Sequence, residues 1–216
     1  MALRLIYGVG INDADYVVQI RETVSGSGES RKRKLVWICP FYSKWAGMLQ
    51  RGYSKRLKKK YKTYEGCSVC EQWLTFSNFK AWMEGQNWEN CELDKDLLIP
   101  GNKLYSPNTC LFLSHRVNSI LADSRTTKIG MPLGVSEKGG KFNARVIDHK
   151  GNRLWLGTFS TLESAHKAWQ IKKIDVLSDL AVECEDAQVS NALLNVANRI
   201  KFQYTNNEFT CKILGE

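Results

Sequence analysis

Residues 140–169 read GKFNARVIDHKGNRLWLGTFSTLESAHKAW. In the first part of this stretch apolar residues alternate with polar ones: Phe142, Ala144 and Val146 with Asn143 and Arg145. A period of two is the pattern of a strand that buries one face. Glycines in the segments KGG and HKGN mark turns before and after this strand. Residues 134–159 therefore predict three short antiparallel strands.

A helix is predicted directly after the third strand, over residues 160–181. Ser160 or Thr161 would cap its first turn, with Glu163 nearby. Its apolar side consists of Leu162, Ala165, Ala168 and Trp169. Such a helix would cover one face of the sheet and leave the other face open, projecting Arg, Lys and Trp.

The rest of the chain predicts a mixture of helices and strands. Amphipathic helices are expected in CPFYSKWAGMLQRGYSKRL (39–57), TFSNFKAWMEG (75–85), HRVNSILAD (115–123) and QVSNALLNVANRIKF (188–202). Strands are expected in LRLIYGVG (3–10), DYVVQIRETV (15–24), near Leu93, in NTCLFLS (108–114) and in EFTCKIL (208–214). The predicted fold class is α+β.

The formal net charge of +9 is unevenly distributed. Residues 31–63 contain twelve Lys and Arg residues and no acid, whereas residues 174–187 contain five acids and no Lys or Arg. Aromatic residues interrupt the basic run RGYSKRLKKKYKTY (51–64), as suits a polyanionic partner such as nucleic acid. The candidates for nucleic-acid contact in this run are Arg56, Lys58, Lys59 and Lys60. A solvated or ribosomal-type basic surface is the alternative.

Hydropathy and cysteine content bear on the cellular location of the protein and on the state of its thiols. There is no run of about 18 apolar residues and no signal-peptide pattern, so we expect a cytoplasmic protein without a membrane partner. An odd number of cysteines, seven, favours reduced thiols over a disulfide framework. No feature indicates a small-molecule ligand.

Residues 133–183, and WLGTF followed by Thr-x-Glu-x-Ala in particular, resemble the AP2 (ERF-type) DNA-binding domain. The resemblance implies a three-stranded sheet lying in the major groove of double-stranded DNA. It implies DNA contacts by Lys138, Lys141, Asn143, Arg145, Arg153 and Trp155. Arg145 and Arg153 are the candidates for guanine recognition. Ile147, where the family usually has arginine, and Arg145, where many members have an acid, depart from the pattern. A Trp155 buried beneath the sheet is the alternative.

Residues 35–121 resemble the HNH homing endonucleases of phages, through GMLQRGYSKR (47–56), YEGCSVCEQWLTFSNFKAWM (64–83) and LDKDLLIPGNKLYSPNTCLFLSHRVN (93–118). The resemblance implies a ββα core that binds Mg²⁺ or Mn²⁺ through Asp94 and Asn118. Lys95 stands where the catalytic histidine is expected, and Asp96 and Asn108 complete the implied catalytic set. The protein would then act in a phage-infected bacterial cell.

Lysine is a poor replacement for that histidine, because it is normally protonated at neutral pH. A protonated Lys95 would bind phosphate and leave the activation of water to Asp96 or His115. Alternatively, Asp94, Lys95 and Asp96 form a turn and a surface ion pair in a degenerate site. Structural zinc at Cys67 and Cys70 is not favoured, because a second CxxC pair is absent.

These patterns predict four segments: N-terminal strands and loop (1–30), a basic HNH-like core (31–125), an AP2-like module (126–183) and a C-terminal helix and tail (184–216). The predicted function is a site-specific, metal-dependent DNA endonuclease. The first alternative is a catalytically degenerate DNA-binding protein on the same scaffold, with a regulatory or architectural role. An RNA-associated or ribosome-associated basic protein is a third hypothesis.

Overall fold

The computed structural model describes residues 5–26, 31–122 and 130–214. The protein is α+β, and its described residues form six α-helices and several small sheets. In chain order the elements are β1 (Gln19–Ser25), β2 (Lys32–Ile38), α1 (Pro40–Tyr53), α2 (Lys55–Lys60), β3 (Ser68–Val69), α3 (Phe76–Glu84), β4 (Cys91–Asp94), β5 (Leu104–Tyr105), β6 (Leu111–Ser114), α4 (His115–Leu121), β7 (Val135–Lys138), β8 (Lys141–Ile147), β9 (Arg153–Phe159), α5 (Leu162–Val182) and α6 (Ala187–Thr205).

The chain divides into two compact units. The first comprises Met1–Trp88 and Lys103–Cys110, and the second comprises Glu89–Asn102 and Leu111–Glu216. The second unit thus combines residues from the segments expected at 31–125, 126–183 and 184–216. In this unit, β6 contributes Leu113, and α4 contributes Val117 and Ile120, to the same apolar core as α5 and α6.

The first unit is built on α1 and α3, the two amphipathic helices predicted upstream. Their apolar stripes are buried, with Trp45 and Met48 on α1 and Phe79 and Met83 on α3 fully inaccessible to solvent. The indole Nε1 of Trp45 donates to the carbonyl oxygen of Trp73 at 2.7 Å. This bond satisfies a polar group that the core would otherwise leave without a partner.

The N-terminal segment differs from its prediction. Residues 5–10 form a turn closed by a single bridge between Ile6 and Gly10, with Tyr7 and Gly8 at positive φ, while residues 3 and 4 lie outside the described residues. β1 begins at Gln19 and pairs with β2, a strand that the sequence did not predict. Successive cations over residues 31–34 obscured the strand pattern, because both strands are exposed and bury no face that would impose alternation.

The second unit is organised around α5 and α6. Trp169, Leu177, Leu193 and Ile200 are fully buried between them and their neighbours. Asp186 caps α6 by accepting from the backbone N–H groups of Gln188 and Val189 at 2.8 and 3.2 Å. This cap explains why an acidic residue separates the two helices.

The strand predicted over residues 208–214 does not form. Side chains of α5 hold this segment instead: the Thr210 N–H donates to His166 Nε2 at 2.9 Å, and Gln170 Nε2 donates to the carbonyl oxygen of Glu208 at 3.0 Å. Polar side chains thus satisfy backbone groups that a sheet would otherwise pair.

Candidate nucleic-acid interface

The sheet of β7, β8 and β9 is antiparallel in the order β7-β8-β9, as predicted. Its inner face is apolar. Ala144 and Val146 on β8 are almost completely buried, and Ala165 of α5 packs on this face. The α5 helix therefore covers one side of the sheet and fixes which side chains point away from it.

The opposite, outer face carries every sheet residue that the sequence assigned to DNA. The cross-strand pairs on this face are Lys138 with Lys141, Ser136 with Asn143, Asn143 with Thr158, Arg145 with Trp155, and Ile147 with Arg153. Strand residues alternate between faces, so the four cations, Asn143 and Trp155 form one surface. No strand residue on this outer face is an acid.

Arg145 and Trp155 form the centre of the outer face. The guanidinium carbon of Arg145 lies 5.1 Å from the centroid of the Trp155 ring, a cation–π distance. Trp155 is 53% exposed, so it does not lie beneath the sheet. Between these pairs β9 contains a β-bulge: Gly157, at φ +131°, pairs with Ala144, whereas Trp155 pairs with Arg145, so Leu156 is the extra residue. The bulge thereby returns Thr158 to this face, where its hydroxyl donates to Asn143 at 2.8 Å.

The basic helix α2 lies in the first unit. Ser54 caps it by accepting from the N–H of Leu57 at 3.2 Å. Arg56, Lys59 and Lys60 are exposed, as a phosphate-contacting role requires. Lys58 is half-buried, and its Nζ donates to the carbonyl oxygen of Cys67 at 3.0 Å. Lys58 therefore also fastens α2 to the loop that follows it.

The predicted metal ligand Asp94 ends β4 and caps the next turn. Its Oδ1 accepts from the backbone N–H groups of Asp96 at 2.9 Å and Leu97 at 2.7 Å. Burial raises the pKa of the Asp94 carboxyl above its ordinary value, against the lowering effect of those two donors. The carboxylate therefore has a structural role in this turn.

Lys95, at the position of the implied catalytic base, is only 5% exposed. Its Nζ lies 2.6 Å from Asp96 Oδ1 and 2.6 Å from the carbonyl oxygen of Asn102. The Asn102 side chain in turn donates to the carbonyl oxygen of Lys95 at 2.9 Å. Asp94, Lys95 and Asp96 are thus brought together as a turn with a largely buried ion pair.

Asn108 and Asn118 complete the predicted site residues. Asn108 is exposed and belongs to the first unit, in a turn where Thr109 N–H donates to the carbonyl oxygen of Ser106 at 3.1 Å. Asn118 belongs to the second unit and donates from Nδ2 to Glu92 Oε2 at 2.5 Å. The two predicted metal ligands therefore have different hydrogen-bond partners: backbone N–H groups for Asp94 and the Glu92 carboxylate for Asn118.

Glu92 is the site residue that sequence reasoning missed. Its Oε1 lies 3.1 Å from Nδ1 of His115, and the His115 side chain is highly exposed. The strands β4 and β6 followed at once by α4 bring Glu92, His115 and Asn118 together. The available signal was the alternation along β4, since Glu92 and Asp94 share a face of that strand.

In residues 5–26, 31–122 and 130–214, no three His, Cys, Asp or Glu side chains are grouped so that they could hold a metal ion. Cys67 is buried, with its Sγ 3.9 Å from the carbonyl oxygen of Thr63, and the described cysteines form no disulfide. Because Asp94 and Asn118 make separate hydrogen bonds, the ion expected between them stays a prediction.

Comparisons with protein-family models, with curated proteins and with solved structures gave no match for this chain. Among the described residues, every helix is too short or too polar to cross a membrane.

Proposed function

We propose that this protein binds double-stranded DNA through the outer face of the β7–β9 sheet. The observation that carries the proposal is the collection of Lys138, Lys141, Arg145 and Arg153 on one acid-free face around an exposed Trp155. The resemblance to AP2 domains points to the same face. The predicted catalytic residues do not converge in a comparable way, so DNA binding is preferred over DNA cleavage.

The chemistry of the face suits a duplex. Arginine can donate two hydrogen bonds to O6 and N7 of guanine in the major groove, and lysines can neutralise the flanking phosphates. The ring of Trp155 restricts where the Arg145 guanidinium can lie, which lowers the conformational entropy that Arg145 loses on binding. Base recognition would centre on Arg145 and Arg153, with Lys138 and Lys141 positioning the protein.

The test begins with selection of a preferred duplex from a random-sequence pool by the wild-type protein. Arg145→Ala and Arg153→Ala should each weaken binding to that duplex by about 5-fold to 150-fold, the cost of a lost bidentate contact of ~1–3 kcal/mol. Lys172→Ala/Lys201→Ala, which removes two charges from α5 and α6 and none from the outer face of the sheet, is the matched control. Unchanged affinity of both arginine variants, or a wild-type preference for structured RNA, would contradict the proposal.

Metal-dependent DNA cleavage is the second candidate. The observation that favours it is the exposed pair of His115 and Glu92, with Asn118 on the same ββα arrangement. An imidazole beside a carboxylate can act as a general base towards water. The resemblance to HNH endonucleases makes phosphodiester hydrolysis with Mg²⁺ or Mn²⁺ the reaction to examine.

Supercoiled DNA incubated with Mg²⁺, Mn²⁺ or EDTA distinguishes the two candidates. Cleavage predicts nicked or linear product with metal, none with EDTA, and loss of activity in His115→Ala while binding persists. Asp94→Ala tests the ligand that the sequence implied. Tight binding with no product under any metal condition would exclude this second function.

A further inference from the structure

The hairpin formed by β1 and β2 is an exposed ribbon on the first unit. Every residue of the two strands is exposed except Ile38, which is half-buried. The base of the hairpin is anchored, because Val18 is buried and its carbonyl oxygen accepts from the N–H of Cys39 at 2.8 Å. The ribbon therefore extends from a fixed point, and its strands present both faces to solvent.

The ribbon is strongly basic. Its described residues include Arg21, Arg31, Lys32, Arg33 and Lys34, and Glu22 is the one acid among them. Alternation along β2 places Lys32 and Lys34 on one face and Arg33 on the other. Each face thus carries positive charge, which would be unfavourable against a single apolar protein surface.

Exposed apolar residues accompany the cations. Ile20, Leu35, Val36 and Trp37 are between 38% and 52% exposed, and Ile20 pairs with Trp37 across the strands. Trp37 pairs with Ile20 and Leu35 pairs with Arg21, and Ile20 and Arg21 are consecutive, so apolar groups lie on both faces. Within a DNA groove, such groups can contact thymine methyls or base edges while flanking cations meet phosphates.

We propose that the β1–β2 ribbon is a second DNA-binding element that enters the major groove, an inference that rests on the proposed DNA-binding function. The major groove is about 12 Å wide and admits a two-stranded ribbon. Seven-residue strands span about 20 Å, enough to follow the groove over several base pairs. Phosphates line both walls of the groove, which complements cations on both faces of the ribbon.

The experiment uses the full chain and a long duplex that contains the selected site. Lys32→Ala/Arg33→Ala removes one cation from each face of the ribbon, and Lys172→Ala/Lys201→Ala is the control with equal charge loss. The ribbon variant should reduce the slope of log affinity against log salt by about 2, since each phosphate contact contributes about 0.9. Its hydroxyl-radical footprint should lose one patch of protection and keep the patch that Arg145→Ala weakens.

Each outcome separates the ribbon from the sheet. A wild-type slope and a complete footprint in the ribbon variant, with Arg145→Ala defective, would overturn the ribbon inference and leave the sheet proposal standing. Defects in the ribbon variant with none in Arg145→Ala would overturn the sheet proposal instead. A ribbon variant that changes the oligomeric state by sedimentation, with DNA affinity unaltered, would make the ribbon a contact between copies. Circular dichroism and thermal melting matched to the wild type confirm that the variant is folded.

Discussion

Gly134 sets how closely α5 can approach the strand β7. It has φ +75°, a region that favours glycine, and a Cβ at this position would lie 1.8 Å from Cδ1 of the Trp169 ring. Trp169 is fully buried, so its ring cannot move away without opening the core. The absence of a Cβ at Gly134 therefore allows Trp169 of α5 to pack directly against the backbone that enters β7.

Gly134→Ala should lower the free energy of unfolding by about 3 kcal/mol or more, combining backbone strain with overpacking. Gly139→Ala is the matched control, because Gly139 has φ +61° but nothing within 4 Å of the added Cβ. The control should lose only about 1 kcal/mol from its backbone conformation. Urea denaturation measures both, and equal losses in the two variants would contradict the steric explanation.

His166 holds the C-terminal segment through both ring nitrogens. Nε2 accepts from the N–H of Thr210 at 2.9 Å, so Nδ1 must carry the proton that is shared with the carbonyl oxygen of Leu133 at 3.1 Å. Burial lowers the pKa of His166 from 6.5 to about 4. The neutral ring is therefore the form that the fold requires.

Stability should fall as acid protonates this ring. The unfolded histidine binds a proton near pH 6.5 and the folded one near pH 4, so the His166 contribution is complete above about pH 6.5 and is lost as the pH falls towards 4. The full effect is on the order of 3 kcal/mol. Denaturation of wild type and His166→Gln across this range measures it; a constant difference between the two curves would contradict the prediction.

At the scale of elements, the segment from Asp94 to Asn102 is a loop that is stabilised by hydrogen bonds of its own side chains. Asp94 caps its first turn, and the Lys95 ammonium joins Asp96 to the carbonyl oxygen of Asn102 at its end. The loop follows directly from β4, and Leu97 within it is buried in the core of the second unit. Residues that resemble a catalytic motif in sequence therefore stabilise a loop conformation.

Lys95→Ala should destabilise the protein by about 2–4 kcal/mol, because it removes one partner of a largely buried ion pair. Lys172→Ala, which removes a lysine from an exposed pair with Asp175, should cost less than about 1 kcal/mol. Thermal melting compares the two variants. Unaltered melting of Lys95→Ala, accompanied by loss of DNA cleavage, would show that Lys95 serves catalysis rather than structure.

For the molecule as a whole, the excess of 31 Lys and Arg over 22 Asp and Glu should govern association with DNA. Four cations on the outer face of the sheet already predict a slope of about −4 for log affinity against log salt. Contacts by α2 and the ribbon would make this slope steeper. Titrations of duplex DNA over a salt series measure it, and a slope near zero would contradict electrostatic binding.

Prediction from sequence succeeded where local periodicity and burial agree. The stripe of Trp45 and Met48 on α1 and the alternation around Ala144 on β8 are confirmed, because one face of each element enters a core. It failed for β2 and for residues 208–214. The reason is that the partners of these segments leave no local pattern in the sequence. β2 pairs with β1, which is exposed on both faces, and the C-terminal segment is held by the side chains of His166 and Gln170.

By itself, the sequence determined the α+β class, the three-stranded sheet with its covering helix, and the concentration of positive charge in residues 31–63. Only the tertiary structure decided that Lys95 is buried in an ion pair, that Glu92 joins His115 and Asn118, and that the chain divides across the expected segments. The physical reason is range. Periodicity and turn chemistry act between near neighbours, whereas burial and hydrogen-bond partners depend on residues that folding brings together from distant parts of the chain.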